Sequence, residues 1–202
     1  MIGAAGIVRI LVLAPELDGE LLAAAVRQVT TGAGTVTIDV APAVPGRDLV
    51  AALVARDDLS AYDVLVLSAR SGLDDTGGDG TEFVDAVTAA VEVVKAAGGR
   101  VLVVNGSTVV PGPRGDERSA TSLAISRLNL AALRLSMSTG LSVIDVDRII
   151  AELGGDDHVT GVLEYAPGAR AAIAAEVAYV LEDYGFFDDR PVLEQIGQGA
   201  LR

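Results

Sequence analysis

The chain has 202 residues, a length that suits one domain with a substantial buried core. Its formal net charge of −13 disfavours nucleic acids and anionic membrane surfaces as partners, because like charges repel. The absence of cysteine excludes disulfides, cysteine-ligated metals and a cysteine nucleophile. Half of the residues are hydrophobic but only 3% are aromatic, so we expect a core of Val, Leu, Ile and Ala.

Targeting and membrane signals are not recognised in the sequence. Arg9 interrupts the first apolar run, and the charged region and cleavage site of a signal peptide are missing. No apolar run reaches the length of about 18 residues that a membrane-spanning helix needs. We therefore expect a cytoplasmic protein.

Strand-like and helix-like segments alternate along the chain. The first strand is the apolar run that contains ILVL, and the five predicted strands are Ile7–Leu13, Thr35–Val40, Asp63–Leu67, Arg100–Val104 and Leu141–Val146. The segments between and after them have helical spacing of apolar residues. The predicted helices are Leu17–Val29, Leu49–Val54, Thr81–Ala97, Ser119–Ser138, Asp147–Leu153 and Gly168–Tyr184.

This alternation predicts an α/β fold, a three-layer α/β/α sandwich whose five-stranded parallel sheet has the flavodoxin-like order 2-1-3-4-5. We predict one domain over residues 1–185 and a C-terminal tail over residues 186–202. Ligands of such folds bind at the carboxyl ends of the strands. Four loops are expected at that edge, namely Ala14–Asp18, Ser68–Gly80, Asn105–Glu117 and Gly154–Pro167.

These loops lack the common catalytic and cofactor motifs. No Gly-rich phosphate-binding motif follows a strand, and the acidic residues within Glu16–Glu20 would repel a phosphate at the start of the first helix. The G-x-S-x-G motif of serine hydrolases is absent. The acidic stretch DDTGGDGTE does not have the ligand order of a calcium-binding EF-hand loop. We predict neither a cofactor nor a metal site.

A few polar residues at the same edge remain as candidates. The single histidine, His158, lies in the acidic stretch GGDDHVTG and is the only imidazole that could act as the base of a Ser–His–Asp triad. The candidate ligand-binding residues are Ser68, Ser71, Asn105, Ser107 and His158. Their neutral hydrogen-bonding groups would suit a sugar or an acyl chain. The alternative is that they are ordinary polar residues of loops.

Four stretches of the chain together resemble the SGNH/GDSL hydrolase family. RLNLAALRLSMSTGLSVIDVDRIIAELGG looks like the family segment in which a helix with an early Asn leads to a strand that ends in vDvd. EYAPGARAAIAAEVAYVLEDYG looks like the last helix, which follows the catalytic Asp-x-x-His. RVLVVNGSTVVPG is similar to the fourth strand and its proline-containing loop, and RILVLAPELDGELLAAAVR stands where the family has a strand, Gly-Asp-Ser and a helix.

The resemblance also implies where the catalytic residues of the family should lie, and other residues stand there. Glu16 takes the place of the nucleophilic Ser, Gly161 that of the Asp and Glu164 that of the His. The G-x-N-D motif should follow the third strand, where the chain has SARSGLDD. His158 could serve as the base only if its loop were realigned by six residues. We assign Glu16, Gly161 and Glu164 as degenerate site positions, and we expect no ordinary Ser-His-Asp ester hydrolysis.

Three functions stay open. The first is a catalytically inactive SGNH-like protein that acts as the partner or regulatory subunit of an active homologue, as a heterodimer. The second is a diverged esterase- or acyltransferase-type enzyme in which Glu16 and Glu164 form a carboxylate pair, since two like charges at close range raise one pKa. The third is a module that binds a small molecule, either a sugar or an acyl group. We favour the first.

Overall fold

The computed structural model describes residues 8–14, 20–25, 36–41, 46–69, 81–112 and 115–183. The strands are β1 (Val8–Leu13), β2 (Val36–Ala41), β3 (Val64–Ser68), β4 (Arg100–Val104), β5 (Ser142–Ile144), β6 (Val159–Gly161) and β7 (Glu164–Tyr165). The helices are α1 (20–25), α2 (Gly46–Val54), α3 (Thr81–Ala96), α4 (Asp116–Thr139), α5 (Val146–Leu153) and α6 (Pro167–Asp183).

Five parallel strands form one sheet in the order β2-β1-β3-β4-β5. This confirms the predicted α/β fold class and the predicted strand order. The register pairs Leu13 with Leu67, Ser68 with Val104, and Val104 with Ile144. The carboxyl ends of β1, β3, β4 and β5 therefore meet at one edge of the sheet, which is where this class of fold binds ligands.

Each face of the sheet packs against its own set of helices, which gives the three predicted layers. Alternate strand residues such as Ile10, Val66 and Leu102 pack against α1, α5 and α6. The residues between them, such as Leu65 and Val103, pack against α2, α3 and α4. All five residues of β3 are buried, because the strand is central and is covered on both sides.

Several element boundaries differ from the predicted ones at helix starts. Helix α4 begins at Asp116 rather than at Ser119, since acidic residues in a first turn interact favourably with the helix dipole. Helix α6 includes Pro167 as its first residue, where the missing N–H of proline costs nothing. Only residues 20–25 of the predicted first helix are described, and the predicted tail 186–202 lies outside the described residues.

The segment predicted as the loop Gly154–Pro167 contains regular structure, so that prediction is wrong in part. A 3-10 turn, Asp156–His158, leads into an antiparallel hairpin formed by β6 and β7. Leu163 lies at the tip of the hairpin with a φ of 55°, a left-handed backbone conformation that is uncommon for leucine. Strands of three and two residues are too short to produce a readable hydrophobic period, which is why the sequence did not reveal them.

Near the amino-terminal ends of β1 and β3, a cluster of charged side chains surrounds Tyr62. The Tyr62 hydroxyl donates a hydrogen bond of 2.7 Å to Asp39 of β2 and accepts one of 2.9 Å from Arg56. The guanidinium carbons of Arg9 and Arg56 lie 4.7 and 5.3 Å from the centre of the Tyr62 ring. Burial, together with the hydrogen bond to Asp39, raises the pKa of Tyr62. The cluster joins β1, β2 and the segment before β3.

Replacing Tyr62 with Phe should lower the free energy of unfolding by about 1 kcal/mol, because Asp39 and Arg56 lose a hydrogen-bonding partner while the ring stays. Urea unfolding followed by circular dichroism measures the change. Tyr179→Phe is the matched control, since Tyr179 is 54% exposed and its hydroxyl bonds Asp183 on the surface of α6. Equal stability losses in the two variants would contradict a special role for Tyr62.

The same tyrosine should make stability depend on pH in the alkaline range. A pKa raised above the ordinary value of 10.0 means that the folded chain holds this proton more tightly than the unfolded chain does. The contribution is complete below pH 10 and is lost as the pH rises above it. Urea unfolding at about pH 8 and about pH 10.5 should show a smaller alkaline loss for Tyr62→Phe than for the parent chain. Identical losses would contradict this.

Candidate functional site

The carboxyl ends of the strands enclose a small crevice in the described part of the chain. Its volume is about 10 Å³, which is room for at most one water molecule. The polar groups that line it belong to Ser68, Asn105 and Tyr165. The rest of the lining is apolar and consists of Leu21, Leu22, Val104, Val146, Leu163 and Ile173. A substrate does not fit into this crevice as the described residues form it.

Leu163 closes this crevice from the side of the hairpin. Its side chain is 5% exposed and packs against Val110 and Ile125. It also lies so close to the backbone of Gly106 that a Cβ atom at that position would collide with it. Gly106 therefore has to lack a side chain for Leu163 to occupy this place. The tip of the β6–β7 hairpin acts as an apolar plug over the edge of β4.

The degenerate position Glu164 lies on the other side of the same hairpin. Its side chain is exposed, whereas that of the preceding residue, Leu163, is buried. Gly161 pairs with Glu164 across the hairpin, and a Cβ atom at Gly161 would collide with the Glu164 carboxylate. The structure thus brings Gly161 and Glu164 together but leaves Glu164 facing solvent. The third position, Glu16, lies outside the described residues.

Asn105 uses its side chain to hold neighbouring elements together. Its Oδ1 accepts a hydrogen bond of 2.7 Å from the backbone N–H of Val146, the first residue of α5. Its Nδ2 donates to Asp145 Oδ1 at 3.1 Å, and the same carboxylate oxygen caps α5 by accepting from Arg148 N–H at 3.2 Å. The backbone N–H of Asn105 donates to Ile144 O of β5. These contacts join β4, β5 and α5.

The following loop is fastened in a similar way by residues from distant elements. Asn129 of α4 accepts a hydrogen bond from Gly106 N–H at 3.1 Å and donates one to Gly106 O at 2.6 Å. The Tyr165 hydroxyl accepts from Ser107 N–H at 3.2 Å. Ser107 is fully buried, and its hydroxyl oxygen accepts from Val109 N–H. A ligand arriving from solvent does not reach the Ser107 hydroxyl in this arrangement.

The remaining candidates do not form a catalytic set in the described structure. Ser68 is 4% exposed and lines the crevice, and Ser71 lies outside the described residues. His158 is half-buried on the 3-10 turn, where its backbone carbonyl accepts from Ala166 N–H at 2.9 Å. Within the described ranges its imidazole has no hydrogen bond or ion pair. The structure therefore does not link His158 to Ser68 or Ser107.

Sequence reasoning missed Leu163 and Tyr165, which shape this edge, and it noted Asn129 only as the early Asn of a family-like helix without assigning it a role at the site. The available signal was weak. Apolar Val159, Leu163 and Tyr165 are separated by four and two residues, as on one face of a strand, but they stand in a segment whose composition is typical of a loop. Asn129 stands as a single polar residue among leucines and alanines.

The described residues contain neither a cluster of metal-ligating side chains nor a membrane-spanning helix. The carboxylates and the histidine of that part of the chain nowhere form a group of three or more that could hold a metal ion. None of its helices is both long enough and apolar enough to cross a membrane.

Comparisons with known proteins give a match at the level of structure. Neither family models nor curated proteins match the sequence. A proposed SGNH hydrolase from Slackia heliotrinireducens superposes with a TM-score of 0.68 at 15% identity, covering 87% of this chain and 100% of that one. The lipase/acylhydrolase from Enterococcus faecalis gives a TM-score of 0.64 at 14% identity, over 87% of this chain and 95% of the other.

A third solved structure agrees with these two. It is a member of the lipolytic G-D-S-L family from Veillonella parvula, with a TM-score of 0.63 and 12% identity over 86% of this chain and 97% of that one. Identity this low carries the fold and leaves the chemistry to be argued from the residues themselves. The chain has the fold of the SGNH/GDSL hydrolases.

Proposed function

We propose that this chain is a catalytically inactive SGNH-like protein that acts as the partner or regulatory subunit of an active homologue. The plug formed by Leu163 is the observation that carries this proposal. Ester hydrolysis by a serine hydrolase needs a base within hydrogen-bond reach of a nucleophile and donors aimed at the oxyanion. Leu163 supplies none of these groups, and its side chain occupies the space beside Gly106 in the crevice at the carboxyl ends of the strands.

The polar residues beside the plug support the same proposal, because the fold already uses them. The Asn105 amide is occupied by Val146 and Asp145, and the Ser107 hydroxyl is buried against its own loop. A site that binds a sugar or an acyl group needs polar side chains whose hydrogen-bonding groups face the ligand. The described polar side chains at this edge instead use their hydrogen-bonding groups to join β4 and its following loop to α4, α5 and the hairpin.

The carboxylate-pair alternative has less support in the described residues. A carboxylate acts as an acid near neutral pH when burial or a close like charge raises its pKa. In the described structure the Glu164 side chain faces solvent and does not line the crevice. The other member of the pair, Glu16, lies outside the described residues.

The isolated chain should hydrolyse p-nitrophenyl acetate no faster than a catalyst-free buffer control. Mixing it with a homologue that has intact Gly-Asp-Ser and Asp-x-x-His motifs should change the activity of that homologue several-fold, because a regulatory subunit acts through its partner. Glu164→Ala and Glu16→Ala serve as matched variants and should leave both results unchanged. Hydrolysis by the isolated chain that either variant abolishes would refute the proposal.

Asn105→Ala should lower the free energy of unfolding by about 1–3 kcal/mol, since it leaves a buried N–H of Val146 and the Asp145 carboxylate without their partner. Urea unfolding measures the change. Thr121→Ala is the control, because the Thr121 hydroxyl bonds Glu117 O within a partly exposed turn of α4, and it should cost much less. An Asn105→Ala variant with unchanged stability would indicate that Asn105 is kept for a ligand instead.

A further inference from the structure

We draw no further inference here: the strongest candidate, the groove of about 730 Å³ beside β5 between α4 and α6, has a mixed lining with three carboxylates and no basic side chain among the described residues, and nothing in the structure shows what covers it.

Discussion

The amide of Asn105 is the interaction on which the edge of the sheet depends. It joins the end of β4 to Asp145 and Val146, so the last residues of two strands and the first turn of α5 keep one geometry. An amide suits this place because it donates and accepts at once, which lets one side chain satisfy a carboxylate and a backbone N–H. Both partners are 40 or more residues away in sequence, so a local turn could not replace the contact.

The sequence was sufficient for the sheet because its strands obey a simple physical rule. A parallel strand covered on both faces must be apolar along its whole length, and the runs around Leu65 and Leu102 have that character. Helices α3 and α4 are each followed by a glycine with positive φ, Gly98 and Gly140, a backbone conformation that favours glycine at a helix end. Local chemistry thus determined the order and the approximate bounds of the main elements.

The site was less predictable because it depends on pairs of residues that are far apart in the chain. Asn129 reaches Gly106 across 23 residues, and Tyr165 reaches Ser107 across 58. The backbone register of the β6–β7 hairpin determines which of two adjacent residues, Leu163 or Glu164, is buried. A shift of that register by one residue would move every side chain of the strand to the other face. A sequence pattern places such residues in a loop but does not say which of them turns inward.

Among the described residues, the side chain of Leu163 alone fills the space left by Gly106 at this edge of the sheet. Gly106 provides the space, and one residue at the tip of a hairpin with strands of three and two residues fills it. Leu163 packs in a small cluster with Val110 and Ile125, apart from the two clusters that bury the sheet and its helices, and it takes no part in the hydrogen bonds of the Asn105 side chain. The size of the residue at position 163 therefore sets how much of this crevice is filled, through contacts that are separate from those that hold the sheet and its helices together.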